Sequence, residues 1–356
     1  MYDPAINITP KILEYISRIE AAKAIIENSP LIPLYERQFK TEATIRKIHY
    51  STAIEGNYLN LNEVKQIVDN NIQSISDDQG NMLVARQRDF YEVINYRNLI
   101  KFIEKLTENY KSNKESSLLE KDTIFEMHKV LLNNINTSTG EYRIGTAVSV
   151  NFLTGEKIYP YENADAIADK MDDLISWYSS TGKTINHILR AGLLHLEFVR
   201  IHPFEDGNGR MARALATLSL SMEGYDIAHF FCLDEFYDSN AQDYYHFLGK
   251  GFENPTEWLE YFCLGVAIEF ERIKERVSKI SKDAKVKEKV GKMYINERQE
   301  QIIEWLNNYG FIRNQDFENL FPNISEDTVL RELKGLIDNG IIAKKGKTKS
   351  ARYEFA

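Results

Sequence analysis

Between Ile201 and Arg213 the chain places one histidine (His202), an acidic pair (Glu205, Asp206), two glycines around an asparagine (Gly207-Asn208-Gly209) and two arginines (Arg210, Arg213). Each type carries a chemistry. His202 can accept a proton from a hydroxyl near neutral pH. Asp206 can hold a magnesium ion, which takes one or two carboxylates together with substrate phosphates. The arginines, at i and i+3, share one helix face and present planar, permanently charged donors suited to phosphate oxygens. A lone histidine or a lone Gly-Asn-Gly is most often structural. The combination at fixed spacing is what points to a nucleotide polyphosphate and a proton transfer.

Such groups need rigid elements on either side. Ile185, Ile188, Leu189, Leu193, Leu196 and Val199 recur at helical spacing, which predicts a helix over 184–199 with Thr184 as its N-cap. Residues 210–222 are rich in Ala and Leu without Gly or Pro and predict a second helix. The glycines therefore open a helix, where backbone N–H groups lack partners and the macrodipole favours an anion. The stretch resembles, without a departure, the Fic-family signature HxFx(D/E)GNGRxxR. That resemblance implies ATP as substrate, Mg2+ as cofactor, and transfer of AMP to a Ser, Thr or Tyr hydroxyl of a target protein (AMPylation), self-modification included. It makes His202 the base, Asp206 the metal ligand, and Gly207, Asn208, Gly209, Arg210 and Arg213 the phosphate cradle. Phe204 is assigned to the core beneath the loop.

Composition bounds the rest. The chain has 356 residues, is 43% hydrophobic and carries a formal net charge of −9, which argues against broad nonspecific binding to nucleic acid or anionic membranes. No run approaches the roughly 20 apolar residues of a membrane helix, and the first residues lack the pattern of a secretory signal. Cys232 and Cys263 stand in apolar or aromatic settings, which predicts buried free thiols and a reducing, cytoplasmic setting. Gly182-Lys183-Thr184 and Gly346-Lys347-Thr348 look like P-loop fragments. Trp177 and Ile341 stand where the first glycine belongs, so that reading fails.

Residues 1–80 read as an N-terminal helical region, with a helix over 12–26 and another over 34–54. Within Ser51-Thr52-Ala53-Ile54-Glu55-Gly56-Asn57, Ser51 and Glu55 share a helical face and Gly56 suits a C′ position. On its own, Glu55 reads as a solvent-facing side chain that the helix dipole slightly disfavours. Beside the central signature, the stretch resembles the family's inhibitory motif (S/T)xxxE(G/N). Glu55 and Ser51 would then engage Arg213, Arg213 could not grip the γ-phosphate, and the enzyme would be autoinhibited.

Residues 81–275 read as the catalytic domain, with further helices over 84–105, 120–132 and 164–178. His128 falls among apolar neighbours and reads as structural. Val148-Ser149-Val150-Asn151-Phe152 and Lys157-Ile158-Tyr159-Pro160 flank a Gly turn and predict a β-hairpin. It resembles the family's flap, whose edge would hold a target protein by strand addition over 148–159 and place Val148, Ser149, Val150 and Asn151 beside the nucleotide. Tyr244, Tyr245 and Asn254 resemble the family's adenosine contacts, although adjacent helical residues cannot both face one ligand fully.

A charged segment, 276–292, reads as a linker. In 293–356, three helices (297–309, 314–320, 325–338) precede two short strands around Lys344–Lys349, and the whole resembles a winged helix-turn-helix domain. Ser325 is the expected cap of the third helix, which begins with Glu326 and Asp327, a start that repels phosphate. Residues 292–356 hold ten basic and ten acidic side chains. A protein-interaction or dimerisation role, or weak DNA binding, is therefore favoured over sequence-specific DNA reading. The expected fold is mainly α: a Fic-fold helical core, a β-hairpin flap and a C-terminal winged helix. Alternatives left open are a de-AMPylating or other nucleotide-transferring relative, and a nucleotide-sensing DNA-binding regulator. A homodimer is implied by the resemblance alone.

Overall fold

A computed structural model of the chain describes residues 2–29, 33–69, 87–112, 119–150, 157–288, 296–309, 311–322, 324–346 and 352–355. Asn151 and the hairpin tip, the 70–86 stretch, residues 289–295 and the Lys347–Lys349 part of the tail lie outside the described residues. The chain divides into two units, one made of residues 1–28 with 39–275 and the other of 29–38 with 276–356.

The helices of the first stretch are α1 (Pro10–Glu27), α2 (Pro33–Ala53), α3 (Leu61–Asp69), α4 (Gln87–Ser112) and α5 (Lys121–Leu131). A two-stranded antiparallel hairpin follows, β1 (Val148–Val150) with β2 (Lys157–Pro160), in the register Val148↔Pro160 and Ser149↔Tyr159. Then come α6 (Ile167–Ser179), α7 (His187–Ile201), α8 (Asn208–Met222), α9 (Asp234–Ser239), α10 (Ala241–Glu253) and α11 (Pro255–Glu288). Of the N-terminal helices, α1, α3 and residues 39–53 of α2 lie in the first unit, and residues 33–38 of α2 in the second.

The centre of this unit is the pair α7 and α8, which pack on each other and are covered by α4, α5, α6 and α10. Both are buried nearly all round, polar residues such as Arg190, Glu197, Arg210 and Arg213 included. The cap of α7 is Asn186, whose side chain accepts the Ile188 N–H at 2.9 Å, and not Thr184. Thr184 instead closes a 3-10 turn over 181–184, and Ile185 is extended. Apolar spacing marks the helix but cannot choose between two good caps two residues apart. Gly192 lets α11 approach: a Cβ there would lie 3.0 Å from both Leu259 and Phe262, and the Gly192 carbonyl accepts the Trp258 indole N–H at 2.8 Å.

Helix α2 is anchored by charge. Lys47 Nζ lies 3.2 Å from the buried Asp226 carboxylate, and Arg46 bonds Glu235 at 2.6 Å and Glu269 at 3.1 Å. Cys232 and Cys263 are buried free thiols. Among the described residues, no helix is long and apolar enough to cross a membrane.

The second unit contains α12 (Glu297–Tyr309), β3 (Ile312–Arg313), α13 (Phe317–Leu320), α14 (Glu326–Asp338), β4 (Ile342–Lys345) and β5 (Arg352–Phe355). Its three strands are antiparallel in the order β3-β5-β4, over a core that includes Leu306, Ile312, Phe317, Leu333, Leu336 and Ile342. Ser325 occupies the N-cap of α14, but its hydroxyl meets the Thr328 hydroxyl at 2.9 Å and not a backbone N–H. Strand β3 is too short to carry a period, so the sequence reading passes over it.

Because Gly192 is packed from two sides, Gly192→Val should destabilise the first unit by about 1–3 kcal/mol through overpacking. Urea unfolding of the variant measures this; a loss below about 0.5 kcal/mol would mean α7 and α11 can separate cheaply.

Candidate functional site

Residues 202–207 join the two central helices, and the loop is clamped from several directions. His202 ends α7 in the left-handed region (φ 52°), its N–H bonded to the Phe198 carbonyl at 3.0 Å. Phe204 is fully buried and stacks on His128 at 3.7 Å between ring centres. The Asn208 side chain accepts the Phe204 N–H at 2.9 Å and donates to the Phe204 carbonyl at 2.7 Å. His128 Nδ1 accepts the Gly140 N–H at 2.9 Å, so Nε2 carries the proton and donates to the Asp206 carbonyl at 3.0 Å. Arg143 completes the clamp: its Nε donates to the His202 carbonyl at 2.6 Å, and its backbone N–H to the Pro203 carbonyl at 2.9 Å. Each bond holds backbone that has no secondary structure of its own.

Gly207, at φ 79°, lets the chain turn into α8, and an added Cβ there would meet Leu131 at 3.1 Å. The first N–H groups of α8 thus point into the site, where an anion is favoured. Glu55 reaches this place. Its Oε1 lies 2.9 Å from Arg213 Nη2, and a Cβ on Gly209 would fall 2.4 Å from the same oxygen. Arg213 is further held by the Ser51 hydroxyl at 3.0 Å, the Ser51 carbonyl at 2.8 Å and Asp234 at 3.3 Å. The Arg213 side chain is 2% exposed and that of Glu55 28%. Burial works against the Arg213 charge; Glu55, Tyr244 and Asp234 outweigh it and hold the guanidinium firmly protonated.

Asp206 lies across the loop. Burial works to raise its carboxyl, but Arg210 and Arg88 outweigh this and keep it below the usual carboxylate range. Its Oδ2 bonds Arg88 at 2.8 Å and its Oδ1 bonds Arg210 at 3.2 Å. An ionised carboxylate with one oxygen turned to a half-exposed guanidinium fits a magnesium ion that draws its other ligands from phosphate and water. Among the described residues, no group of three or more His, Cys, Asp or Glu side chains is arranged to hold a metal ion by itself.

The structure places the predicted residues unequally. Ser51, Glu55, Gly209 and Arg213 meet at the start of α8, and the charges of Glu55 and Asp206 both act on His202. Arg210 is turned inward at 1% exposure, between Glu92 at 3.2 Å and Asp206, and Asn208 spends its amide on Phe204. Tyr244 is buried with its hydroxyl 3.0 Å from His195, whereas Tyr245 is 54% exposed. Asn254 caps α11 by accepting the Thr256 N–H at 3.0 Å and lines a cavity of about 490 Å³ with Tyr2, Lys170, Glu197 and Arg200. Val148, Ser149 and Val150 form strand β1. Sequence reading missed Arg88, Glu92, Arg143, Tyr161 and Asp234. Each is one charged or aromatic residue in an ordinary helix or loop, and only packing brings it here.

The His202 ring stacks on Tyr161 at 3.7 Å. Burial, with Arg143 nearby, lowers its pKa to about 4, although the Val199 carbonyl pulls the other way. The imidazole is therefore neutral at pH 7 and able to accept a proton.

The model of the Fic/DOC family matches residues 118–220. The chain is similar to the protein adenylyltransferase fic-1 of Caenorhabditis elegans, 28% identical over 192 residues, 53% of this chain and 34% of that protein. It is also similar to the protein adenylyltransferase Fic of Nematostella vectensis, 26% identical over 239 residues, 67% of this chain and 50% of that protein. It thus spans about a third to a half of the length of these relatives. A Fic family protein from Desulfovibrio desulfuricans G20 has the same fold, with a TM-score of 0.67 at 22% identity, covering 100% of this chain and 98% of that one. C. elegans Fic-1 (aa134–508) superposes with a TM-score of 0.59 at 22% identity over 77% of this chain and 73% of that one.

The buried neutral imidazole has a thermodynamic signature. The unfolded chain binds a proton at His202 near 6.5 and the folded chain only near 4, so stability is full above about pH 6.5 and is lost as pH falls toward 4. Urea unfolding across this window should show a slope that diminishes in His202→Asn. An undiminished slope would mean that His202 is protonated in the fold as readily as in the unfolded chain.

Proposed function

We propose that this protein transfers AMP from ATP to a hydroxyl of a target protein and is held back by its own Glu55. The observation that carries the reading is the Glu55 carboxylate seated on Arg213 at the start of α8, in the place most suited to a phosphate. The relatives named protein adenylyltransferase, and the unbroken run from His202 to Arg213, support the same reaction class.

In the proposed reaction, the hydroxyl of a Ser, Thr or Tyr gives its proton to the neutral His202 imidazole. Its oxygen attacks the α-phosphorus of ATP in line, the bond from that phosphorus to the bridging oxygen breaks, and pyrophosphate leaves. The N–H groups of Asn208 and Gly209 donate to the phosphate oxygens, Gly207 keeps its N–H on Asp206 Oδ1 and shapes the turn, and Arg213 offsets the phosphate charge. Asp206 would hold Mg2+, which neutralises phosphate charge when bound. Arg210 acts through Asp206, and Asn208 through the shape of the loop. Positioning and charge neutralisation then supply most of the rate gain.

The hairpin β1–β2 has only two strands, so it keeps an edge on which an extended target segment can add by main-chain bonds. The second unit, with three helices and a three-stranded sheet, has the make-up of a winged helix. Its α14 begins with exposed Glu326 and Asp327, which favours a protein partner over DNA.

Two substitutions test the reading through transfer of radiolabelled AMP from α-³²P-ATP with Mg2+ present. Glu55→Gly removes one charge-assisted bond of about 1.5–3 kcal/mol, so transfer should rise roughly ten- to a hundred-fold. Unchanged or lower transfer would sink the inhibitory role. His202→Ala should abolish transfer while calorimetry still detects ATP binding; a variant that transfers at the wild-type rate would remove His202 as the base.

A further inference from the structure

The two oxygens of Asp206 stand in different surroundings. Oδ1 is turned into the fold, where it accepts the Gly207 N–H at 2.6 Å and faces Arg210 at 3.2 Å. Oδ2 is covered by one group, the Nη2 of Arg88, at 2.8 Å. The Arg88 side chain is 59% exposed, whereas Arg210 is 1% exposed. Arg88 is therefore the member of the cluster on the solvent side.

Glu92 keeps it there. The Glu92 side chain is 4% exposed and offers Oε1 to both Arg88, at 3.0 Å, and Arg210, at 3.2 Å. Its Oε2 accepts the Asn57 amide at 2.9 Å. Two carboxylates and two guanidiniums thus form a charge-balanced group, with each oxygen of Asp206 already satisfied. A divalent cation brought to Oδ2 would add two positive charges beside a guanidinium that already holds that oxygen, and like charges at such range repel strongly. An arginine cannot relieve the repulsion by losing its proton. It must swing away, and its exposure allows this.

We infer that Arg88 is the resident counter-cation of Asp206, and that a divalent cation arriving with the nucleotide must displace it. Arg88 thereby sets the Mg2+ concentration at which the site fills, and Glu92 is the positioning residue that returns it. This rests on the proposed function for the identity of the nucleotide, while the competition at Oδ2 follows from the geometry alone.

The test measures binding on the full chain carrying His202→Ala, which prevents turnover. ATP is titrated by calorimetry at a series of Mg2+ concentrations, and the half-saturating Mg2+ is read for Arg88, Arg88→Gln and Arg88→Lys. Arg88→Gln should lower it by about five-fold or more, the scale of a coupled pair of sites. Arg88→Lys, which keeps the charge, should stay near the parent value. In parallel, Mn2+ alone, followed by electron paramagnetic resonance of the free ion, should bind more tightly to Arg88→Gln. A half-saturating Mg2+ that is unchanged or higher in Arg88→Gln, with Mn2+ binding no tighter, overturns the inference. So does an equal fall in Arg88→Lys, because charge would then not be the cause. If no form binds ATP yet Mn2+ binds Arg88→Gln more tightly, the functional reading fails and the displacement of Arg88 stands.

Discussion

The start of α8 carries an electrostatic demand that the rest of the site answers. Unpaired N–H groups and the positive end of a helix dipole want an anion, and the nearby Arg213 guanidinium is buried among Glu55, Asp234 and the hydroxyl and carbonyl of Ser51. The chain answers with its own Glu55. That side chain follows the C-terminal end of α2, where the helix's own dipole is unfavourable to it, so its position is stabilised by α8 and Arg213 and not by α2. The contact holds only if α2 is held at the right height. Lys47 with Asp226, and Arg46 with Glu235 and Glu269, tie α2 into the unit around the 202–207 loop. The contact between Glu55 and Arg213 is in this sense a property of the whole unit's packing.

The same unit uses three histidines for three tasks, and burial separates them. His128 is a loop clamp: its two ring nitrogens are occupied by Gly140 and Asp206, which settles its tautomer, and burial lowers its pKa. His195 is fully enclosed and faces the Tyr244 hydroxyl, with burial and Arg213 both opposing its charge. His202 alone stands at the end of a helix in a left-handed turn, with one face against Tyr161. All three are neutral, and only the third belongs to the loop between α7 and α8. Low pKa by itself therefore does not single out His202 in this fold, and the proposed role of base rests on its place in the loop.

How far each feature could be read in the sequence follows from the range of the forces that make it. Helices α7 and α8, the left-handed Gly207 between them and the likeness of 202–213 to a known signature are matters of local period, backbone freedom and fixed spacing, so they are written in the chain itself. Glu55 stands between the two cases. Its residue type and neighbours suggest a role, yet in isolation it is one more exposed acid.

The partners of those residues were decided by tertiary structure. Arg88, Glu92, Arg143 and Asp234 are charged side chains with no local pattern, and their counter-ions come from helices far along the chain: Asp206 for Arg88 at a separation of 118 residues, Glu55 for Arg213 at 158. Arg210 has the spacing of a phosphate ligand, but its neighbour Glu92 turns it inward. The sequence by itself determined the helices, the turn and the reactive groups, because short-range sterics and backbone hydrogen bonding act on adjacent residues. Only the folded unit decided which charges neutralise one another, because an ion pair depends on distance in space and is indifferent to distance along the chain.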